Sequence, residues 1–158
     1  MDSRSVITSF FAYWRVQDLE MALQHMHPDV VYEIHNGPDA SPLAGVYRGI
    51  QEIRELGYTV LSAFDYVRYE PTIASVEDNI VRAHVVFGLR HRQSSYTIEG
   101  SQRSIFDVRD GLIARIDLYE DALRVEAFMR MARETTPSDI DTDLAALLGK
   151  RQKSGAGA

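Results

Sequence analysis

Apart from a short run at 30–34, apolar residues in the first 64 positions recur every three or four residues, whereas from 65 to 120 they recur at nearly every second one. The first period belongs to helices and the second to half-buried strands. Ile7, Phe10, Phe11 and Trp14 form one helical stripe, after which Asp18 stands where an N-cap belongs, ahead of Leu19, Ala22, Leu23 and Met26. The pattern predicts two short helices at a bend. "HPD" at 27–29 closes the second, because proline disfavours helix at the residue before it, and the β-rich "VVYEI" from Val30 to Ile34 predicts a strand. "HNGPDASPLAG" reads as a loop. A third helix is expected from about Ile50 to Phe64, with Gly49 near its start and Ile53, Val60, Leu61 and Phe64 on its buried face.

The alternating stretch divides into strands at about Tyr66–Val76, Ile80–Arg90, Tyr96–Val108 and Leu112–Glu120, separated by the turn-formers "EDN", "HRQSS" and "RDG". Such short connections make consecutive strands antiparallel neighbours. A last helix, capped by Asp121, carries Val125, Phe128, Met129 and Ala132, and Pro137 marks its end. Ile140, Leu144, Leu147 and Leu148 share one face of a further short helix. The expected organisation is one domain over 1–134, a short C-terminal helical extension over 135–149 and a disordered tail over 150–158. Three helices, one early strand and a four-stranded meander make an α+β layout. To bury both apolar faces the curved sheet must close over the helices, which leaves a conical interior.

Composition narrows the chemistry. The 158 residues, 45% of them hydrophobic, are enough for one core. Without cysteine there are no thiol nucleophiles, disulfides or Cys-based metal sites. The only lysines, Lys150 and Lys153, lie in the tail, so a buried Schiff base is set aside. Removing Lys150, Arg151 and Lys153 from the 17 basic residues leaves 14 against 23 acidic ones over 1–149, a net charge of −9 that disfavours nucleic-acid and anionic-membrane partners. No apolar run approaches the ~18 residues that span a bilayer. A cytoplasmic protein is expected. The histidines of "HMHPD" and His35 show no metal-binding spacing, and neither a nucleophile elbow, a phosphate-binding loop nor a dinucleotide fingerprint is present.

The order of elements, together with "PDVVYEI", "GVYRGIQEIREL" and "FDVRDGLIARIDLYED", resembles the NTF2-like superfamily and within it the SnoaL-like group, over roughly residues 5–133. The resemblance implies an α+β cone, with a curved antiparallel sheet wrapped around N-terminal helices, and a homodimer through the outer sheet face. Superfamily members include ketosteroid isomerases, limonene-epoxide hydrolases, scytalone dehydratases, polyketide cyclases and non-enzymatic adaptor domains, so the fold alone does not choose an activity. The ketosteroid isomerase pattern would place its base at Ile34, its tyrosine at Phe10 and its protonated acid at Ser104; those groups are missing or weakened here. The epoxide hydrolase triad would fall on Val85, Phe87 and Leu118, none of which is ionisable. For a scytalone dehydratase, Tyr32 and His84 are the candidates, but alternation turns His84 outward.

Alternation aims Tyr32, Ile34, Ala83, Val85, Phe87, Ile98, Gln102, Ser104, Phe106, Ile116 and Leu118 inward, with Glu120 at the rim. That is the composition of an apolar ligand site and equally of a filled core. Asp117 should face outward and Asp121 should cap a helix, which leaves Glu120 as the acid or base of any chemistry and Tyr32 as its orienting donor. Ile34, Val85, Phe87, Gln102, Ser104, Phe106 and Leu118 are the expected ligand contacts. The plainer alternatives are a strand end for Glu120, a packed ring for Tyr32 and cross-strand satisfaction for Gln102 and Ser104. On the outer face Val86, Ile105 and Tyr119 lie among paired charges and fit a dimer contact. The expected function is a small-molecule protein for a mainly apolar, oxygen-bearing ligand, working without metal or cofactor as an isomerase, dehydratase or cyclase. Its rival is a non-catalytic ligand-binding or dimeric interaction domain.

Overall fold

The computed structural model describes residues 1–35 and 43–120. The elements run α1 (Ser3–Arg15), α2 (Leu19–Leu23), β1 (Met26–Ile34), β2 (Gly45–Arg48), α3 (Gly49–Ala63), β3 (Phe64–Glu77), β4 (Ile80–His91), β5 (Thr97–Arg109) and β6 (Leu112–Glu120). The expected last helix, the 135–149 extension and the 150–158 tail lie outside the described residues.

Both N-terminal helices begin at an aspartate whose carboxylate accepts an otherwise orphaned backbone N–H: Asp2 from Ser5 at 2.8 Å, Asp18 from Met21 at 3.1 Å. Val6, Ile7 and Phe11 bury the inner face of α1, and Leu19, Ala22 and Leu23 that of α2. On α3 the buried positions are Ile53, Leu56, Gly57 and Ala63, while Val60 and Leu61, expected on its buried face, are half-buried.

The α+β fold read from the pattern is present as one curved, unclosed six-stranded sheet in the order β2-β1-β6-β5-β4-β3. Strands β3 to β6 fall within two residues of their expected limits. At the last hairpin Asp110 and Gly111 take φ of 52° and 74°, the paired positive values a tight two-residue turn requires. Pairing is antiparallel except at one seam, where β1 runs parallel to β6, with Tyr32 opposite Ile116 and Ile34 opposite Leu118. A crossover through β2, α3 and the meander lies between those two strands, which permits the parallel pairing.

One local expectation is corrected. "HPD" does not end a helix and precede a strand; it lies inside β1, which already begins at Met26. Met26 pairs with Ile113 and the ladder resumes only at Val31 opposite Arg115, so Pro28 sits in an irregular stretch where a missing N–H costs little. Between the expected loop, which closes at Gly45, and the expected helix, "GVYR" forms the short edge strand β2, whose Tyr47 is buried and paired with Tyr32.

Candidate functional site

The inner face predicted by alternation is the buried one. Ile34, Ala83, Val85, Phe87, Ile98, Ser104, Phe106, Ile116 and Leu118 are all buried, whereas His84, Arg90 and Arg103 between them are exposed. The strand register is therefore the one read from the sequence.

Between the concave sheet and the three helices lies a cavity with about 140 Å³ open to the centres of water-sized molecules. One water needs roughly 10–15 Å³ on that measure, so the space takes on the order of ten non-hydrogen atoms. Tyr32, Ile34, Phe87, Gln102, Ser104, Phe106, Leu118 and Glu120 line it. Val85 does not: it is fully buried between Pro71 and Gln102 on the neighbouring strands and contributes to the core instead.

Helical and edge residues that strand alternation does not reveal complete the wall. Phe10 and Phe11 of α1 meet Phe106 edge-on, with ring centroids 5.8 and 5.5 Å apart, and close the floor. Trp14, one turn along, meets Tyr66 at 5.9 Å, and Tyr66 meets Tyr69 at 5.5 Å with the rings 80° apart. These edge-to-face contacts are the favoured geometry for aromatic quadrupoles. Trp14, Tyr66 and Tyr69 all line the cavity. Alternation does not reveal these tyrosines, because β3 is an edge strand with register shifts between Tyr66 and Arg68 that break the simple period.

Charge inside the cavity is concentrated in one place. Glu120 is the sole acidic residue in the described lining, which contains no arginine, lysine or histidine. Burial, and then the Glu120 charge, hold the Tyr32 phenol well above the usual tyrosine range. Tyr66 is raised by the same two causes, with hydrogen bonding from Trp14 opposing them. Tyr69 is raised by burial and by its neighbour Tyr66. All three phenols are therefore protonated donors near neutral pH, and a carboxylate shares their cavity. The curvature of the sheet is what lets Glu120, on β6, act on Tyr66, three strands away.

On the outer face the parallel seam carries a separate cluster. Glu33 is paired with Asp117 across β1 and β6, and the His35 ring spans them, Nε2 2.7 Å from Asp117 and Nδ1 3.3 Å from Glu33. These three side chains place ligating atoms within 4.8 Å of one another. Arg115 already bonds both carboxylates, at 2.8 Å to each, so the cluster has its own internal cation and reads as an ion-pair network. Stacking of His35 on Tyr119 at 4.5 Å completes it. His25 and His27 are occupied locally: the His25 ring bonds the Met21 carbonyl and His27 accepts from the Asp29 N–H. No helix among the described residues is long and apolar enough to cross a membrane.

Solved structures share this architecture. An NTF2-like protein from Burkholderia thailandensis superposes with a TM-score of 0.72 at 18% identity, covering 82% of this chain and 98% of its own. A proposed isomerase from Bacillus subtilis gives 0.69 at 20% identity, over 87% and 94%. A proposed SnoaL-like polyketide cyclase from Mesorhizobium loti gives 0.63 at 13% identity, over 75% and 99%. At such identities the likeness establishes the fold alone. No curated protein matches the chain in sequence. The model of the SnoaL-like domain, however, matches residues 7–116, which span α1 to the middle of β6 and include most of the cavity wall, and the chain belongs to the SnoaL-like domain family.

Proposed function

We propose that the protein is a small-molecule isomerase, dehydratase or cyclase that needs no cofactor and acts on a mainly apolar, oxygen-bearing substrate, with Glu120 as the acid–base group and Tyr32 as the orienting donor. One observation carries this reading: Glu120 and the protonated Tyr32 phenol enter the same apolar cavity from the two adjacent strands of the parallel seam. Related folds labelled as an isomerase and as a polyketide cyclase support the same class of chemistry.

The three reaction types share a first step. Glu120 removes a proton from carbon next to a carbonyl while Tyr32 hydrogen-bonds the oxygen that becomes negative; returning that proton to a different carbon isomerises the substrate. A donor preorganised in a dry site stabilises the developing oxyanion more than water does. The Phe87, Phe106 and Leu118 side chains keep that site apolar.

The step can be tested without the natural substrate. In deuterated buffer the parent protein should accelerate hydrogen–deuterium exchange at the α-carbon of 2-tetralone, followed by NMR, and Glu120→Gln should return the rate to background. Equal rates for parent and variant would remove Glu120 from the chemistry and leave a ligand-binding domain.

A further inference from the structure

We propose that the substrate carries a second, neutral oxygen, a hydroxyl or carbonyl set apart from the reacting carbonyl, and that Gln102 and Ser104 of β5 form the subsite that holds it. The inference rests on the reading above in taking Tyr32 as the donor to the reacting carbonyl; the second oxygen and its subsite are additions to it.

Strand geometry puts the two side chains together. Gln102 and Ser104 are two residues apart on β5, so both lie on its inner face, and both line the cavity. Ser104 is only 4% exposed. Its cross-strand neighbours are Ala83 on β4 and Leu118 on β6, neither of which has a polar side-chain atom. Gln102 stands between Val85 on β4 and Glu120 on β6. Among the described residues neither the Ser104 hydroxyl nor the Gln102 carboxamide is hydrogen-bonded, so cross-strand satisfaction, the plainer account of such a pair, is not what occupies them.

A buried hydroxyl without a partner is destabilising, and native proteins rarely keep one unless something else bonds it. No side-chain oxygen or nitrogen among the described residues is both sealed in protein and unbonded, so the Ser104 oxygen is reached from the cavity. Its bonding capacity is directed at whatever occupies that space. A serine hydroxyl donates once and accepts twice, and a carboxamide donates twice and accepts through its oxygen. Both groups are neutral, and together they match a hydroxyl or a carbonyl.

The sheet order sets where that oxygen lies. Strand β6 runs between the strand of Tyr32 and that of Gln102 and Ser104. At about 4.8 Å per strand spacing, β1 and β5 are roughly 10 Å apart at the backbone. Tyr32 is level with Ile116 and Phe106, and Ser104 is the next inward position along β5 from Phe106. The two polar stations therefore lie to either side of β6, the strand that carries Glu120. A ligand touching both needs its oxygens on opposite sides of a ring-sized body.

2-Tetralone and its 5-, 6-, 7- and 8-hydroxy derivatives, titrated by calorimetry near neutral pH, test the subsite. At least one hydroxylated ketone should bind about 10-fold more tightly than 2-tetralone, as expected for one or two neutral hydrogen bonds made in an apolar site. That ratio should fall towards one in Ser104→Ala and in Gln102→Leu. Ser104→Ala should also unfold no lower than the parent, because the hydroxyl it removes holds no part of the described structure. If no derivative gains over 2-tetralone in the parent protein, the proposal is overturned, and that comparison needs no variant to fold. A gain undiminished in both variants overturns it as well, as does a Ser104→Ala protein that unfolds several degrees lower. Absence of any gain while Glu120-dependent exchange of 2-tetralone persists removes the second subsite alone. A gain without exchange supports the subsite and removes the acid–base chemistry.

Discussion

Glu120 and Tyr32 are brought to one cavity by the only parallel pairing among the described strands: β1 and β6 run side by side, and the carboxylate of one adds to burial in keeping the phenol of the other protonated. In the proposed reaction the pair is complementary in role: Tyr32 donates without losing its proton, and Glu120 accepts one.

Tyr32→Phe separates orientation from proton transfer. It deletes one hydroxyl and leaves the ring that packs 6.2 Å from Tyr47, so unfolding temperature should change little. Turnover on a ketone substrate should drop about 10²-fold, the usual effect of removing one oxyanion donor. Glu120→Gln should lower turnover by ~10²-fold or more. If Tyr32→Phe reacts as fast as the parent, the ring is only a wall.

Acid sensitivity should be traceable to the outer cluster. Partial burial alone would raise the Asp117 pKa, but hydrogen bonds from Arg115 and His35 hold the carboxyl below its usual range. A lowered folded-state pKa gives stability that is present above the unfolded value and is lost as pH falls through the folded one. Asp117→Asn should therefore cost about 1–2 kcal/mol at neutral pH, and the gap from the parent should be smaller in strong acid, well below the ordinary aspartate range. Urea midpoints at the two pH values measure it. A gap independent of pH would mean the side chain acts through packing rather than charge.

How much of this was legible in the sequence depended on the kind of periodicity involved. Alternation in Ile80–Leu118 reports which face a residue occupies, because the side-chain period of a strand is fixed by covalent geometry. It placed Phe87, Ser104, Phe106 and Leu118 on the cavity side. Depth within that face is not periodic, which is why Val85, with the same parity, fell into the packed core. Trp14 and Tyr66 come together only when the sheet curls over α1, and His35 and Asp117, 82 positions apart, only at the parallel seam. No local pattern encodes either meeting. Strand β2 was hidden because four residues beside a glycine and a helix entry are too short for a period to show.

A homodimer through the outer sheet face is the expected assembly. Tyr119 is 39% exposed there, Ile105 and Val86 are half-buried on β5 and β4 of the same face, and Arg115 is neutralised by Asp117 and Glu33. Apolar side chains set among paired charges suit a self-complementary contact. Sedimentation at micromolar concentration should give twice the mass of the chain, and Tyr119→Glu should give a monomer that retains its cavity ligand. A monomeric parent protein would leave this face to solvent.

Gly57 forms part of the cavity wall, and Gly57→Ala should uncouple stability from binding. The residue lies within α3 and lines the cavity, and a Cβ built on it would stand 2.8 Å from both methyl carbons of Leu19. Something must move, and the contact is with the free end of a side chain rather than with backbone. Leu19 also lines the cavity, so the nearest open volume is the cavity itself. Replacing glycine by alanine inside a helix contributes about 1 kcal/mol from propensity, which offsets much of the ~1–3 kcal/mol that overpacking costs. The unfolding midpoint should consequently stay close to that of the parent. Ligand affinity should not, because a methyl-sized displacement takes a substantial share of a space that holds on the order of ten atoms. Naphthalene-sized probes should bind about 10-fold more weakly while smaller phenols are retained, which is the size-selective loss expected when one CH₂-scale group enters an apolar pocket. Trp14, the single tryptophan of the chain, lines the same cavity and reports occupancy through its fluorescence. Equal affinity for both probe sizes in Gly57→Ala would show that Leu19 relaxes away from the cavity, and that the α2–α3 contact does not limit what the site admits.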